Sequence, residues 1–329
     1  EGGEDSDTLT GGYGKDTLIG HGGDDYLLGD LGDDSYHYNI GDGFDRITDV
    51  GGVDQIIFGN SITPDMVKVR STSNGALIIS INGVDALSYN ESVFQTNTDV
   101  VLEKIVFSSG NVVWDQTTIF SKALQSTSGD DEIYGSLSDE LVDGGAGNDR
   151  LETRAGNDTL IGNTGNDYLL GGTGDDVYRF NLGDGSDSIL DEGGYDTIEF
   201  LAGILPTDIS VQRTETDLIL KVKNANPITL SKFFNGDDNR AVNELSAIEN
   251  IIFANGESWS RAQLLAKLSN TGTSSANTLY GSEVSELIDA KEGNDSLFAG
   301  GGNDTLIGGS GYDNLYGEIG DDVVYRGGG

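Results

Sequence analysis

The feature that most constrains this chain is a period of nine. Residues 144–179 read GGAGNDRLE, TRAGNDTLI, GNTGNDYLL and GGTGDDVYR, one short pattern four times in succession. Each copy carries a glycine (Gly147, Gly156, Gly165, Gly174), an Asn or Asp, then an aspartate in fixed phase: Asp149, Asp158, Asp167 and Asp176. Two places later stands a large apolar residue: Leu151, Leu160, Leu169 and Tyr178. The first six positions suit tight turns, because Gly, Asn and Asp tolerate positive φ. The last three set one inward apolar side chain between two outward ones, which makes a very short strand. So small a unit cannot bury its own apolar face, and strict repetition therefore predicts a stack. Two units close one flattened coil of about 18 residues, and successive coils lie parallel, about 4.8 Å apart. A flexible Gly/Asp-rich linker has a similar composition but no reason to place an apolar residue at every ninth position.

Stacking also aligns the turns. Each edge of the stack then carries a column of carboxylates and exposed carbonyl oxygens. In a chain with no Cys and only two His, His21 and His37, such oxygen columns call for a hard cation. Calcium accepts irregular shells of about six to eight oxygens and fits better than magnesium. The balance of 56 Asp+Glu against 18 Lys+Arg, a formal net charge of -38, is far too acidic for a nucleic-acid binder or for an anionic membrane face. Acidity without phase would mean solubility or disorder; in phase, it favours ion binding. On the order of ten divalent ions would offset roughly half of that charge. Without them the carboxylate columns repel, and a thin apolar strip cannot compensate. The repeats are therefore expected to be unfolded in chelator and folded in calcium, with metal replacing the disulfide staples of a Cys-free chain.

The pattern fills three blocks. Block one, 1–57, has phased Asp7, Asp16, Asp25 and Asp34 and inward Leu9, Leu18, Leu27 and Tyr36. Asp5 stands where its first unit expects Gly, so that turn is suspect. An eleven-residue step then leads to Asp45 and Asp54, which read as the end of the stack after a two-residue bulge. Block two, 128–199, carries Asp131 and Glu140 in phase before the four regular units, then the same step to Asp187 and Asp196. Block three, 272–329, has Asp295, Asp304, Asp313 and Asp322, with Asn277 and Glu286 at earlier positions expected to bind weakly or not at all. Between the blocks lie two inserts, 58–127 and 200–271, poorer in Gly and richer in β-branched residues. LIISI at 77–81, KIVF at 104–107 and LILKVK at 218–223 read as strands, and Asn82-Gly83 and Gly110-Asn111 as turns. The inserts match each other, Trp114 answering Trp259, and each ends in a short helix over about 115–124 and 260–268, the second expected to be the better formed. An insert of about 65 residues lies near the lower limit for an independent core. No apolar run approaches the ~20 residues needed to span a bilayer, and the chain begins and ends inside a repeat, as a piece of something longer would.

The nonapeptide resembles the haemolysin-type calcium-binding repeat GGxGxDxUx of the RTX (repeats-in-toxin) family. The inserts, on their ITPDMV and NIIFANGESW segments, resemble a domain that interrupts such repeats in large secreted proteins. The resemblance implies an all-β fold, parallel β-roll blocks alternating with small β-rich inserts. It implies one calcium between turns two units apart. Asp149 would then share an ion with Asp167, Asp158 with Asp176, Asp131 with Asp149 and Glu140 with Asp158; in block one Asp7 with Asp25 and Asp16 with Asp34; in block three Asp295 with Asp313 and Asp304 with Asp322. Turn carbonyls would fill the shells: Gly12, Gly14, Gly23 and Gly32; Gly145, Gly147, Gly156, Gly165, Gly172 and Gly174; Gly293, Gly302, Gly309, Gly311 and Gly320. It further implies a chain that leaves the cell unfolded through type I secretion machinery and folds outside, as toxins and adhesins of this family do. Affinity should be that of extracellular modules, roughly 10⁻⁴–10⁻³ M.

No HExxH or GxSxG occurs, so neither a metalloprotease helix nor a lipase elbow is present, and the chain is read as no enzyme. Two other roles stay open: self-association in a surface layer or matrix through the inserts, and a glycan or enzymatic site within them, with Trp114 and Trp259 able to stack on sugar but more often core anchors.

Overall fold

In a computed structural model the chain is described throughout except for residues 92–101, 235–242, 244–247, 269 and 328–329. It is all-β, and parallel coils stack as a β-solenoid. Two compact units form. The first comprises Glu1–Ser126 with Glu132–Leu137, the second Thr127–Asp131 with Ser138–Gly329.

Within each block the nine-residue period becomes two facing parallel sheets. Leu151 lies beside Leu169 in one and Leu160 beside Tyr178 in the other, each pair 18 residues apart. The inward residues Leu151, Leu160, Leu169 and Tyr178 are all fully buried, because alternation along a three-residue strand leaves one side chain inside. In the first unit Leu9, Leu27 and Ile47 form the same row. In block three Leu279, Leu297 and Leu315 do so.

The eleven-residue step leaves the register of the inward residues intact. Leu169 pairs with Ile189 and Tyr178 with Ile198. The two extra residues are taken up in a tight turn in which the Asn39 backbone N–H donates to the Asp42 carboxylate at 2.7 Å. Asn181 and Asp184 repeat that contact in the second unit.

The inserts are built onto the rolls. Asp45–Gly51 pairs parallel with Val84–Glu91, and Gln55–Phe58 with Lys104–Phe107, so the insert supplies one further coil. Antiparallel strands then end each sheet: Leu77–Ile81 and Val67–Ser71 on one side, Val112–Asp115 on the other. One apolar cluster runs from Leu18 through Ile79 and Ile105 to Ile119, so roll and insert share a core and the first insert needs none of its own. The second unit repeats this, with Ile228–Leu230 on Asp187–Leu190 and Asn250–Ile252 on Thr197–Phe200.

The first insert ends in the helix Gln116–Ala123, capped by Asp115, whose carboxylate accepts from the Thr118 N–H at 2.9 Å. The second helix is the shorter one, against expectation. It covers only Arg261–Leu265, despite a capping box between Ser260 and Gln263. The chain leaves it to bring Leu268 beside Val211 in a parallel bridge, which stops the helical hydrogen bonds. Trp114 and Trp259 are each 6% exposed, packed edge-on against Phe107 and Phe253 with centroids 4.8 Å apart. Lys122 and Lys267 lie over their outer faces at 4.3 and 4.2 Å. These are the contacts of core anchors.

Candidate metal-binding turns

Each turn places the phased aspartate just before its strand, with the side chain pointing inward along the edge of the coil. There the carboxylates form a ladder. The backbone N–H of one aspartate donates to Oδ1 of the aspartate one coil on. Asp149 donates to Asp167 at 2.8 Å, Asp158 to Asp176 at 2.8 Å, Asp131 to Asp149 at 2.9 Å and Glu140 to Asp158 at 2.8 Å. Asp7 donates to Asp25 and Asp16 to Asp34, both at 2.8 Å. Asp295 donates to Asp313 at 3.0 Å and Asp304 to Asp322 at 2.9 Å. All eight pairs expected from the sequence are thus neighbours.

The second oxygen is treated differently. Oδ2 of Asp16, Asp25, Asp34, Asp45, Asp149, Asp158, Asp167, Asp176, Asp196, Asp295, Asp304 and Asp313 is buried without a hydrogen-bond partner. A buried acceptor left unpaired costs about 1–3 kcal/mol, and more when charged, so twelve such atoms in register suit a cation. Their setting agrees. Oδ2 of Asp167 lies 2.3 Å from where a Cβ on Gly162 would sit, so this inward position stays small to keep the space beside the carboxylate open. Burial pushes Asp158 and Asp167 up to about 6, and Asp45, Asp54, Asp176 and Asp187 up to about 7. Calcium would supply the positive charge that such oxygens lack.

The turn glycines bring carbonyls to the same edge. Gly165 has φ +146, and a Cβ there would fall 1.6 Å from the carbonyl oxygen of Gly147 in the coil before. The pairs Gly156–Gly174, Gly293–Gly311, Gly302–Gly320 and Gly14–Gly32 stack alike, and Gly23 stacks on Asp5. Asp5 itself does not take up the positive φ of Gly14, Gly23 and Gly32. The positions of Gly12, Gly145, Gly172 and Gly309 are also left-handed, and so are Arg154, Asn163 and Lys291 in the equivalent place, so the turn imposes that conformation on whatever residue stands there. The Gly145 carbonyl also accepts from Thr164, and that of Gly172 from Glu192, both at 3.1 Å.

The opening positions of the blocks are partly satisfied from within. Asp131 accepts from Thr127, Asn277 from Thr273 and Glu286 from Ser282. Of the histidines, His21 is exposed and His37 half-buried on an outward strand position.

Several residues of the ladder escape the nine-residue phase. Asp54 donates to Glu103 at 2.6 Å and Asp196 to Glu249 at 2.8 Å, so each insert provides the next rung. Asp25 reaches Asp45, Asp34 reaches Asp54, Asp167 reaches Asp187 and Asp176 reaches Asp196 across the longer step. Asp49 and Asp191 add a carboxylate five residues before the last phased aspartate, a feature readable in DVGGVD and DEGGYD. An outer ladder runs alongside. The N–H of Asn166 donates to the Asn148 side chain at 2.9 Å and that of Asp175 to Asn157 at 2.8 Å, which explains the Asn or Asp before Asp149, Asp158, Asp167 and Asp176.

The description "RTX calcium-binding nonapeptide repeat (4 copies)" fits residues 1–36, 124–151, 143–178, 271–306, 280–314 and 298–329, and "Haemolysin-type calcium binding protein related domain" fits 217–263, within the second insert. No curated protein matches. Among solved structures, the AlgE6R3 subunit from the Azotobacter vinelandii mannuronan C5-epimerase is 32% identical, over 31% of this chain and 71% of that one, with a TM-score of 0.26. Extracellular lipase LipA from Serratia marcescens is 19% identical, over 70% of this chain and 37% of that one, with a TM-score of 0.28. RTX repeats are typical of secreted or extracellular proteins and are mostly structural modules without catalysis. Among the described residues no helix is long and apolar enough to cross a membrane. The chain belongs to the RTX family, as a calcium-binding structural repeat region folded as a β-roll.

Proposed function

We propose that this chain is the calcium-set segment of a larger secreted RTX protein of the toxin or adhesin type, with no catalysis of its own. It leaves the cell unfolded through type I secretion machinery and sets in extracellular calcium. The carrying observation is the row of buried, unpartnered Oδ2 atoms along the turns. In this reading Asp149 and Asp167 with turn carbonyls such as Gly147 hold one ion, and each further pair eighteen residues apart holds its own, on the order of ten in all. Binding is then the folding free energy of the rolls. In the cytosol, where free calcium is scarce, the chain stays loose enough to thread a channel; outside it folds. Far-UV circular dichroism tests this. A disordered spectrum in chelator should convert to a β spectrum as calcium rises through roughly 10⁻⁴–10⁻³ M. A β spectrum that survives chelation at neutral pH would overturn the reading.

A further inference from the structure

The terminal turn of each of the two rolls that run into an insert differs from the rest. Five residues before a phased aspartate, ordinary turns carry a small residue, such as Gly29, Gly144, Thr153 or Ala290. In the last turn before each insert that place is taken by Asp49 and by Asp191, exposed 0% and 1%. Alternation along the strand turns both inward, against the carboxylate column. In each unit one carboxylate oxygen apiece from three aspartates then lies within 4.8 Å of the other two: Asp34, Asp49 and Asp54 in the first, Asp176, Asp191 and Asp196 in the second.

In each unit a carboxylate of the cluster and a tyrosine hydroxyl converge beside a turn glycine. From the point where a Cβ on Gly29 would sit, the Tyr36 hydroxyl is 2.0 Å away, Asp49 Oδ2 2.4 Å and Asp34 Oδ2 2.5 Å. From the same point on Gly171, Asp176 Oδ2 is 2.2 Å and the Tyr178 hydroxyl 2.5 Å away. Backbone contacts hold the added acid in position: Asp49 Oδ1 accepts from Val50 at 2.7 Å and Gly51 at 3.0 Å, and Asp191 Oδ1 accepts from Gly193 at 2.8 Å. Their Oδ2 atoms accept the hydroxyls of Tyr36 and Tyr178. Oδ2 of Asp34, Asp176 and Asp196 stays unpartnered in a fully buried setting.

We propose that this terminal turn is a second class of cation site, a closed three-carboxylate cradle for a calcium-class divalent ion that fastens the roll to its insert. The inference rests on the calcium reading of the rolls. The spacing suits the ion: ligands about 2.3–2.6 Å from a calcium lie no more than about 5 Å from one another. Hard anionic oxygens with a phenol beside them favour calcium over softer metals. The same constellation is built twice, in separate units. It stands where the ladder passes into the insert, since Asp54 and Asp196 donate onward to Glu103 and Glu249. Among the described residues, three carboxylates make it the most highly charged cradle, and so the first to fill.

The test uses the whole chain and terbium as a calcium analogue. The buried tyrosines Tyr36 and Tyr178 serve as antennae for its luminescence. The first-bound terbium should emit on tyrosine excitation, with a lifetime nearly equal in H2O and D2O because the cradle is closed to water. The double variant Asp49→Asn, Asp191→Asn keeps size and the oxygen that accepts from the backbone N–H groups, and replaces the other carboxylate oxygen with an amide nitrogen. It should lose that first phase, and equilibrium dialysis with calcium should show two ions fewer per chain, one for each cradle, while the remaining ions still bind. A variant that keeps both the first phase and the ion count would overturn the proposal. So would a wild-type lifetime that lengthens strongly in D2O, a measurement that needs no variant to fold. Failure of the calcium reading itself looks different: the wild-type chain then takes up no ions.

Discussion

Replacing Gly165 by Ala should damage the roll far more than the same change at Gly183. At Gly165, φ is +146, a region that only glycine occupies comfortably, and strain there costs about 1–3 kcal/mol. The new methyl would also sit 1.6 Å from the Gly147 carbonyl oxygen, whereas an ordinary contact begins near 3.4 Å. That oxygen belongs to the backbone of the adjoining coil, so relief requires the coils to part locally. Among the bonds that join them here are Gly147 N–H to Thr164 at 2.9 Å, Thr164 N–H to Gly145 at 3.1 Å and Asp149 N–H to Asp167 at 2.8 Å. At about 1 kcal/mol each, their loss brings the total to roughly 4–6 kcal/mol. Gly183 has φ +100 but nothing within 4 Å of an added Cβ, so only the left-handed penalty of about 1–2 kcal/mol applies. Calcium titrations followed by circular dichroism, with thermal melts in saturating calcium, compare the two. Gly165→Ala should raise the calcium midpoint severalfold and lower the melting temperature well beyond Gly183→Ala. Equal effects would refute the idea that coil-to-coil approach at the turns sets both packing and ion binding.

Asp158→Asn should remove an ion from the count by equilibrium dialysis, whereas Asn157→Ala in the outer ladder should cost about 0.5–1.5 kcal/mol with the ion count unchanged; the reverse pattern would exchange the roles given to the two columns. Burial raises the folded-state values of Asp158 and Asp167 to about 6 and of Asp45, Asp176 and Asp187 to about 7. A raised folded value contributes stability that is full below the unfolded value of 3.8 and is lost as pH rises through the folded one. In chelator, the β signal should therefore grow as pH falls from about 8 to about 5; a flat signal would count against buried carboxylates as the unfolding force. Trp259→Ala should destabilise the second unit by about 3–5 kcal/mol, read as a lower melting temperature in saturating calcium. An unchanged melt would return that ring to the surface.

The roll was readable because its period is local. Leu160 and Asp158 announce themselves to their neighbours nine residues away, and a short parallel strand between glycine turns has few other ways to bury one leucine. The rungs supplied by the inserts were not readable in that way. Glu103 meets Asp54 after 49 residues and Glu249 meets Asp196 after 53, distances at which no period survives. Asp49 and Asp191 left a trace, an aspartate in a place held by small residues in the nine-residue units, but its meaning depends on knowing that this place faces the carboxylates. The length of the second helix depended on Leu268 finding Val211 across the fold, a contact that local capping signals do not carry.

The antiparallel hairpins that finish the sheets bear on how such chains behave at high concentration. A parallel stack is a template: its last rung offers a row of unpaired amides and carbonyls that an incoming rung from another molecule could match. In the first unit the insert covers that rung and then reverses strand direction, and its outermost strand, Val67–Ser71, turns Lys68 and Arg70 toward solvent. Charged side chains on an edge strand, lysine above all, guard against edge-to-edge growth. Such a stopper would let many calcium-filled rolls follow one another along one polypeptide while discouraging fibre formation between molecules.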